Sequence, residues 1–135
     1  MTTRVDTIEG IGPVYRGKLE AAGIPTTEAL LEQCGAPEGR RRVAEMTGLR
    51  PAQLLRWVNI ADLMRLNGVG KEFSQLLEAA GVDTVRELKM RQPETLCAKL
   101  TEVNEAKRLA RRSPALHDVA RWVAAAASME PRVFH

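Results

Sequence analysis

Apolar residues in this chain recur at helical spacing, and no segment alternates apolar with polar in the manner of a half-buried strand. Leu54, Trp57, Val58, Ala61 and Met64 form one stripe along 51–65. Breakers and caps divide the rest of the pattern. Pro13 suits a first helical turn, where its missing N–H costs nothing. The helix it opens is expected to run to Ala22 and to stop at Gly23 in the left-handed conformation. Thr84 with Glu87 three residues on is a capping box, and Thr26 or Thr27 opens the corresponding helix. Pro51, Pro93 and Pro114 read as further first-turn prolines, with Ser113 as the N-cap before Pro114. The pattern predicts an all-α protein with four to five helices in each half.

The halves are similar to each other. IEGIGPVYRGKLEAAGIPTTEALL (8–31) aligns with LNGVGKEFSQLLEAAGVDTVRELK (66–89) at an offset of 58 residues. Gly10 meets Gly68, Gly12 meets Gly70, and Leu19–Gly23 meets Leu77–Gly81 without a difference. Tyr15 meets Phe73, an aromatic for an aromatic. Further on, Arg56-Trp57-Val58 returns as Arg121-Trp122-Val123 at an offset of 65, so the second copy carries seven extra residues within 104–113. The expected organisation is a duplication, with units at 1–65 and 66–135 packed around a shared core.

Composition narrows the class. With 44% apolar and 27% charged residues the 135-residue chain has enough apolar content for a packed core. Only 4% is aromatic, so Leu, Val, Ala and Met must fill it. Cys34 and Cys97 are not in a CxxC pair, and His117 and His135 lie far from both, so no metal is expected. No cofactor is implied, and no Ser/His or Cys/His arrangement suggests a nucleophile, so an enzyme is not expected. The first ten residues have no apolar h-region and no stretch would span a bilayer; no membrane partner is expected, and a cytoplasmic location is.

The chemistry lies in the two Gly-x-Gly turns. Each places two glycines around one inward-pointing aliphatic, Ile11 or Val69, just before a helix. Glycine leaves backbone N–H groups uncovered, and the helix adds its own unpaired N–H groups and positive dipole end. Together they suit a phosphate.

On these residues, IEGIGPVYRGKLEAAGIPTTEALL resembles the helix-hairpin-helix motif of repair polymerases, ligases and junction-binding proteins, which carry the G-I-G-P turn, a helix ending in Gly-Ile and a Thr opening the next helix. Nearly the whole chain resembles a bacterial family of tandem helix-hairpin-helix proteins classed as a domain of unknown function. The shared marks are the two hairpins and the block Trp57-Val58-Asn59-Ile60-Ala61-Asp62-Leu63 between them. The resemblance implies two hairpin units and, as a function, contact with nucleic-acid backbone.

The site expected from this is Gly10, Ile11, Gly12, Val14, Tyr15, Arg16 and Lys18 in the first copy, with the cluster Arg40, Arg41 and Arg42, and Gly68, Val69, Gly70 and Lys71 in the second. The partner would be a DNA or RNA backbone, held weakly and without sequence preference. Glu72 departs from the motif: it stands where a phosphate would approach, so the first hairpin should do most of the binding and Glu72→Lys should tighten it. A second basic cluster, Lys107-Arg108 with Arg111-Arg112, lies in or beside the insertion. The segment 43–56 admits a helix-turn-helix reading, with Arg50, Gln53 and Arg56 toward a major groove, or a degenerate second hairpin, which is favoured. Trp57 and Trp122 are expected as core anchors. The net charge of only +3, together with Glu72, keeps open another class of function: a protein-interaction or scaffold module whose hairpins are purely structural.

Overall fold

The computed structural model describes residues 2–135, and the chain is all-helical. Among the described residues a 3-10 turn at Val5–Thr7 precedes eight helices: α1 Pro13–Ala21, α2 Thr27–Cys34, α3 Pro37–Thr47, α4 Pro51–Leu63, α5 Lys71–Ala79, α6 Val85–Leu88, α7 Pro93–Lys107 and α8 Leu116–Ala127. Among the described residues the strand-like pairing is one isolated antiparallel bridge, Arg4 to Thr26. The backbone clusters into two compact units. One runs to Asp62 and takes in Arg132–His135; the other is Leu63–Pro131.

In the first unit, Leu19, Leu30, Leu54 and Trp57 are buried, and α2 packs on α3. In the second, α7 packs on α8 and α5, and α6 packs on α8, around Leu76, Leu77, Leu88, Leu100 and Trp122. Both indoles are thus core anchors. The aromatic one turn into each unit's first helix rests on its tryptophan: Tyr15 on Trp57 at 5.2 Å and Phe73 on Trp122 at 5.3 Å, both tilted.

Local chemistry sets the helix ends. Gly23 takes φ +84° and Gly81 φ +92°, which lets the chain fold back on the helix it has just left. Ile24 N–H donates to the Leu19 carbonyl (2.8 Å) and Val82 N–H to the Leu77 carbonyl (2.9 Å). This six-to-one bond consumes a carbonyl that the helix cannot satisfy itself. Leu19 and Ile24, which it brings together, are both fully buried. The next helix starts at a threonine cap. Thr26 Oγ1 accepts from Ala29 N–H at 3.0 Å, and Thr84 Oγ1 from Glu87 N–H at 3.4 Å.

Pro114 does not open a helix. The last helix starts at Leu116 with Ala115 as N-cap, and Asp118 Oδ2 reaches back to accept from Ala115 N–H (3.1 Å). Ser113 is diverted elsewhere: its Oγ accepts from Asn104 Nδ2 at 3.3 Å. The cap sits two residues later than the Ser-Pro pair suggested, because a carboxylate at the third helical position bonds the cap N–H, while the serine is held by α7.

One buried cation stabilises the first unit. Arg40 is 6% exposed. Its Nη1 donates to the carbonyls of Cys34 and Gly35 (both 2.9 Å), and its Nη2 to that of Phe134 (2.6 Å). Phe134 N–H donates in return to the Gly35 carbonyl at 2.8 Å. The guanidinium thus ties the end of α2 and the start of α3 to the C-terminal segment. Burial pushes the Cys34 thiol up to about 11, against the opposing pull of Arg40 and Arg42. It is a neutral core group.

Candidate functional site

The two Gly-x-Gly turns have closely similar geometry. Gly10 and Gly68 adopt φ +98° and +89°, a region that side-chain-bearing residues rarely enter. The aliphatic between the glycines points inward, with Ile11 and Val69 each 4% exposed. Ile11 N–H donates to the Ile8 carbonyl and Val69 N–H to the Leu66 carbonyl, both at 3.1 Å. The second glycine is different. Gly12 has φ −87° and Gly70 φ −107°, extended backbone open to other residues. A Cβ added at either would meet nothing within 4 Å. The fold therefore requires the first glycine of each pair but not the second.

What the second glycine leaves uncovered is a helix start. Gly12 and Gly70 are the N-caps of α1 and α5, and no side chain caps either helix, whereas a threonine caps α2 and α6. The first intrahelical bonds run from Arg16 N–H to the Gly12 carbonyl (2.9 Å) and from Ser74 N–H to the Gly70 carbonyl (3.0 Å). Val14 and Tyr15 N–H in α1, and those of Lys71, Glu72 and Phe73 in α5, lie ahead of them, at the positive end of the helix dipole.

The side chains expected to add charge divide sharply. Lys18, Arg41, Arg42 and Lys71 are exposed, and Val14, 71% exposed, stands beside Gly12. Arg16 is engaged within the chain, with Nη1 3.3 Å from Asp6 and Nε 3.7 Å from Glu20. Arg40 is buried on three carbonyls and is not presented to solvent. Two arginines that sequence reasoning did not attach to the turns stand directly against them. Nη1 of Arg56 and Nη2 of Arg121 lie 3.8 and 3.9 Å from where a Cβ on Gly10 and Gly68 would be. The signal was present in the repeated Arg-Trp-Val block: the tryptophan is the core anchor, and the arginine before it emerges beside the turn. In the first unit Arg50, Gln53 and Arg56 line a surface cleft of about 340 Å³ with Gly10, Tyr15 and Trp57.

The second turn carries an additional structure. Helix α7 is capped at its C-terminus by Arg108, which takes the left-handed conformation (φ +53°), and the following loop returns toward α5. Asn104 holds it, its Oδ1 accepting from Ala110 N–H at 2.9 Å. Glu72 then binds Arg111 twice: Oε1 accepts from the backbone N–H at 2.7 Å and Oε2 from Nε at 3.0 Å. The backbone bond is the main reason the Glu72 carboxyl sits below its usual range. This alters the expectation for Glu72→Lys. Glu72 is a partner of the loop, so a lysine there would repel Arg111 and release it.

Asp118 organises two more cations. Arg121 Nη2 is 3.1 Å from its carboxylate and Arg112 Nη1 is 3.7 Å away. The Ala115 N–H bond foremost, then the nearby cations, hold Asp118 below its ordinary range. Arg112 lies over the Phe73 ring, 5.3 Å from its centroid. Among the described residues no cluster of His, Cys, Asp or Glu could hold a metal ion, and no helix is long and apolar enough to cross a membrane.

A family model described as a domain of unknown function (DUF4332) matches residues 9–129. No curated protein and no solved structure gives a significant match.

Proposed function

The chain belongs to the DUF4332 family of unknown function, and we propose that it is a non-enzymatic binder of nucleic-acid backbone, acting through its two Gly-x-Gly turns as helix-hairpin-helix motifs. The observation that carries this reading is the second glycine of each turn. Neither its φ nor its surroundings require glycine, yet in both units it lies at an exposed helix start that no side chain caps. A phosphate needs that arrangement: open access for its oxygens, N–H groups that point outward, and a positive dipole end. Arg56 and Arg121 beside the first glycines, with Lys18 and Lys71 on the helices, supply charge. Backbone contacts carry no direct sequence information, so binding is largely blind to base sequence.

A salt titration against duplex DNA tests the reading. With about two to four phosphates engaged, log K falls against log salt with a slope of roughly −2 to −4. Gly12→Val places a branched side chain in the open space at the start of α1 and weakens binding without unfolding the protein. Absence of binding to any DNA or RNA form at low salt would overturn the proposal.

The second reading, a protein-interaction module with structural hairpins, is favoured by Val14. An apolar side chain 71% exposed beside the first helix start suits a protein surface better than a phosphate. Under that reading Val14→Lys abolishes partner binding; under the first it strengthens DNA binding.

A further inference from the structure

The second unit holds a cleft of about 540 Å³ lined by Gly70, Lys71, Glu72, Phe73, Arg111 and Arg112. We propose that it takes one unpaired nucleotide of a single-stranded nucleic acid, whose base stacks on Arg112 where the guanidinium covers Phe73, while its phosphate lies against Lys71 and Arg111. This rests on the nucleic-acid reading above and assigns the second turn a ligand form that the first is not built for.

Three observations support it. Arg112 lies on the Phe73 ring, Phe73 packs in turn on the buried Trp122, and Asp118 approaches one edge of the guanidinium. The side chain of Arg112 nevertheless remains 67% exposed, so its planar group is presented on a fixed support. A guanidinium carried over an aromatic ring offers its planar group as a stacking surface for a base whose face is free. Bases in a duplex have their faces covered by neighbours; those in a single strand do not. Next, the negative charge in the cleft is already occupied: Glu72 accepts two bonds from Arg111. Finally, the platform depends on the insertion. The first unit has Tyr15 on Trp57 in the corresponding position, but no segment there matches the seven extra residues that bring Arg111 and Arg112 over α5. The volume lies within the range of small-ligand clefts.

Fluorescence anisotropy with the whole chain separates stacking from charge. The probes are a labelled short oligothymidylate, a strand of equal length with abasic sites in place of the bases, and a duplex. The oligothymidylate is expected to bind roughly tenfold tighter than the abasic strand, the scale of one stacked base. Arg112→Lys keeps the charge and removes the plane, and is expected to weaken oligothymidylate binding by a similar factor while leaving duplex binding within about twofold. Circular dichroism checks that the variant is folded. Equal binding of abasic and intact strands overturns the inference, as does an Arg112→Lys variant that binds oligothymidylate like the parent or loses duplex binding equally. If the parent chain binds duplex and Gly12→Val abolishes that binding, a failure of the stacking test leaves the backbone reading standing. If the parent binds no nucleic acid, both fall.

Discussion

Gly10 and Gly12 are two residues apart and do different things. Gly10 is at φ +98°, where a Cβ would be strained whatever space surrounds it, and Gly12 at φ −87° has open space and ordinary backbone. Gly10→Ala is therefore expected to destabilise the protein by about 1–2 kcal/mol, the cost of a left-handed residue with a Cβ. Gly12→Ala should cost less, within about 1 kcal/mol, the difference between glycine and alanine at an N-cap. Denaturant midpoints at unchanged slope would show this. Equal losses at both positions would mean that the second glycine is structural and would remove the main support for the backbone reading. The arginines divide in the same way. Arg40 and Arg41 are neighbours in sequence, but Arg40 is buried on three carbonyls and Arg41 is exposed, so a count of basic residues overstates the available charge.

At the scale of elements, the units differ in how their third helix ends. Helix α3 stops at Gly48 in the left-handed conformation, and α4 starts at Pro51. Helix α7 ends at Lys107, with Arg108 after it also left-handed, and eight residues separate it from α8. Glu72 anchors that loop by its bonds to Arg111. Its carboxyl is depressed below the ordinary 4.5, chiefly by the Arg111 N–H. The anchoring is accordingly complete above that ordinary value and is lost as pH falls through the lower folded value. The Arg111 amide proton, followed by NMR during an acid titration, should shift with a midpoint below the usual glutamate range, and in Glu72→Gln this step should vanish. A midpoint at the usual value would show that the loop is not held by Glu72. Global stability should change little, because the Arg111 side chain is 92% exposed and solvent screens such a pair.

For the molecule as a whole, the segment Arg132–His135 matters to one unit in particular. Arg132–His135 belong with the first unit, where Val133 is 5% exposed and Phe134 bonds both Arg40 and Gly35. Deleting residues 132–135 uncovers a valine site, worth about 1.5–3 kcal/mol when fully buried, and takes one carbonyl from a buried guanidinium. The expected result is a loss of about 2–4 kcal/mol, read as faster amide exchange in α2 and α3 with much smaller changes in α7 and α8. Uniform loss of protection throughout the chain would count against a local role for the segment.

Much of this was legible in the sequence because it is decided locally. Helical spacing, first-turn prolines and threonine caps act within a few residues, so the all-α class and the starts of α1, α2, α4 and α7 follow from them. The core positions of Trp57 and Trp122 follow from the same periodicity, and the inward turn of Ile11 and Val69 from the Gly-x-Gly pattern. Tertiary structure decided the rest. Whether an arginine is a strut or a surface charge depends on which carbonyls converge on it, and those meeting Arg40 come from positions as far apart as Cys34 and Phe134. Glu72 reads in sequence as a repulsive neighbour of a phosphate. It becomes the anchor of a loop 39 residues away only when that loop folds back onto α5. Pro114 lost its helix start to Asp118 for a related reason: the serine that would have capped it was held by Asn104 on another element. Local sequence fixes what the backbone can do at a position, but the partner of a charged side chain is set by chain segments that only folding brings together.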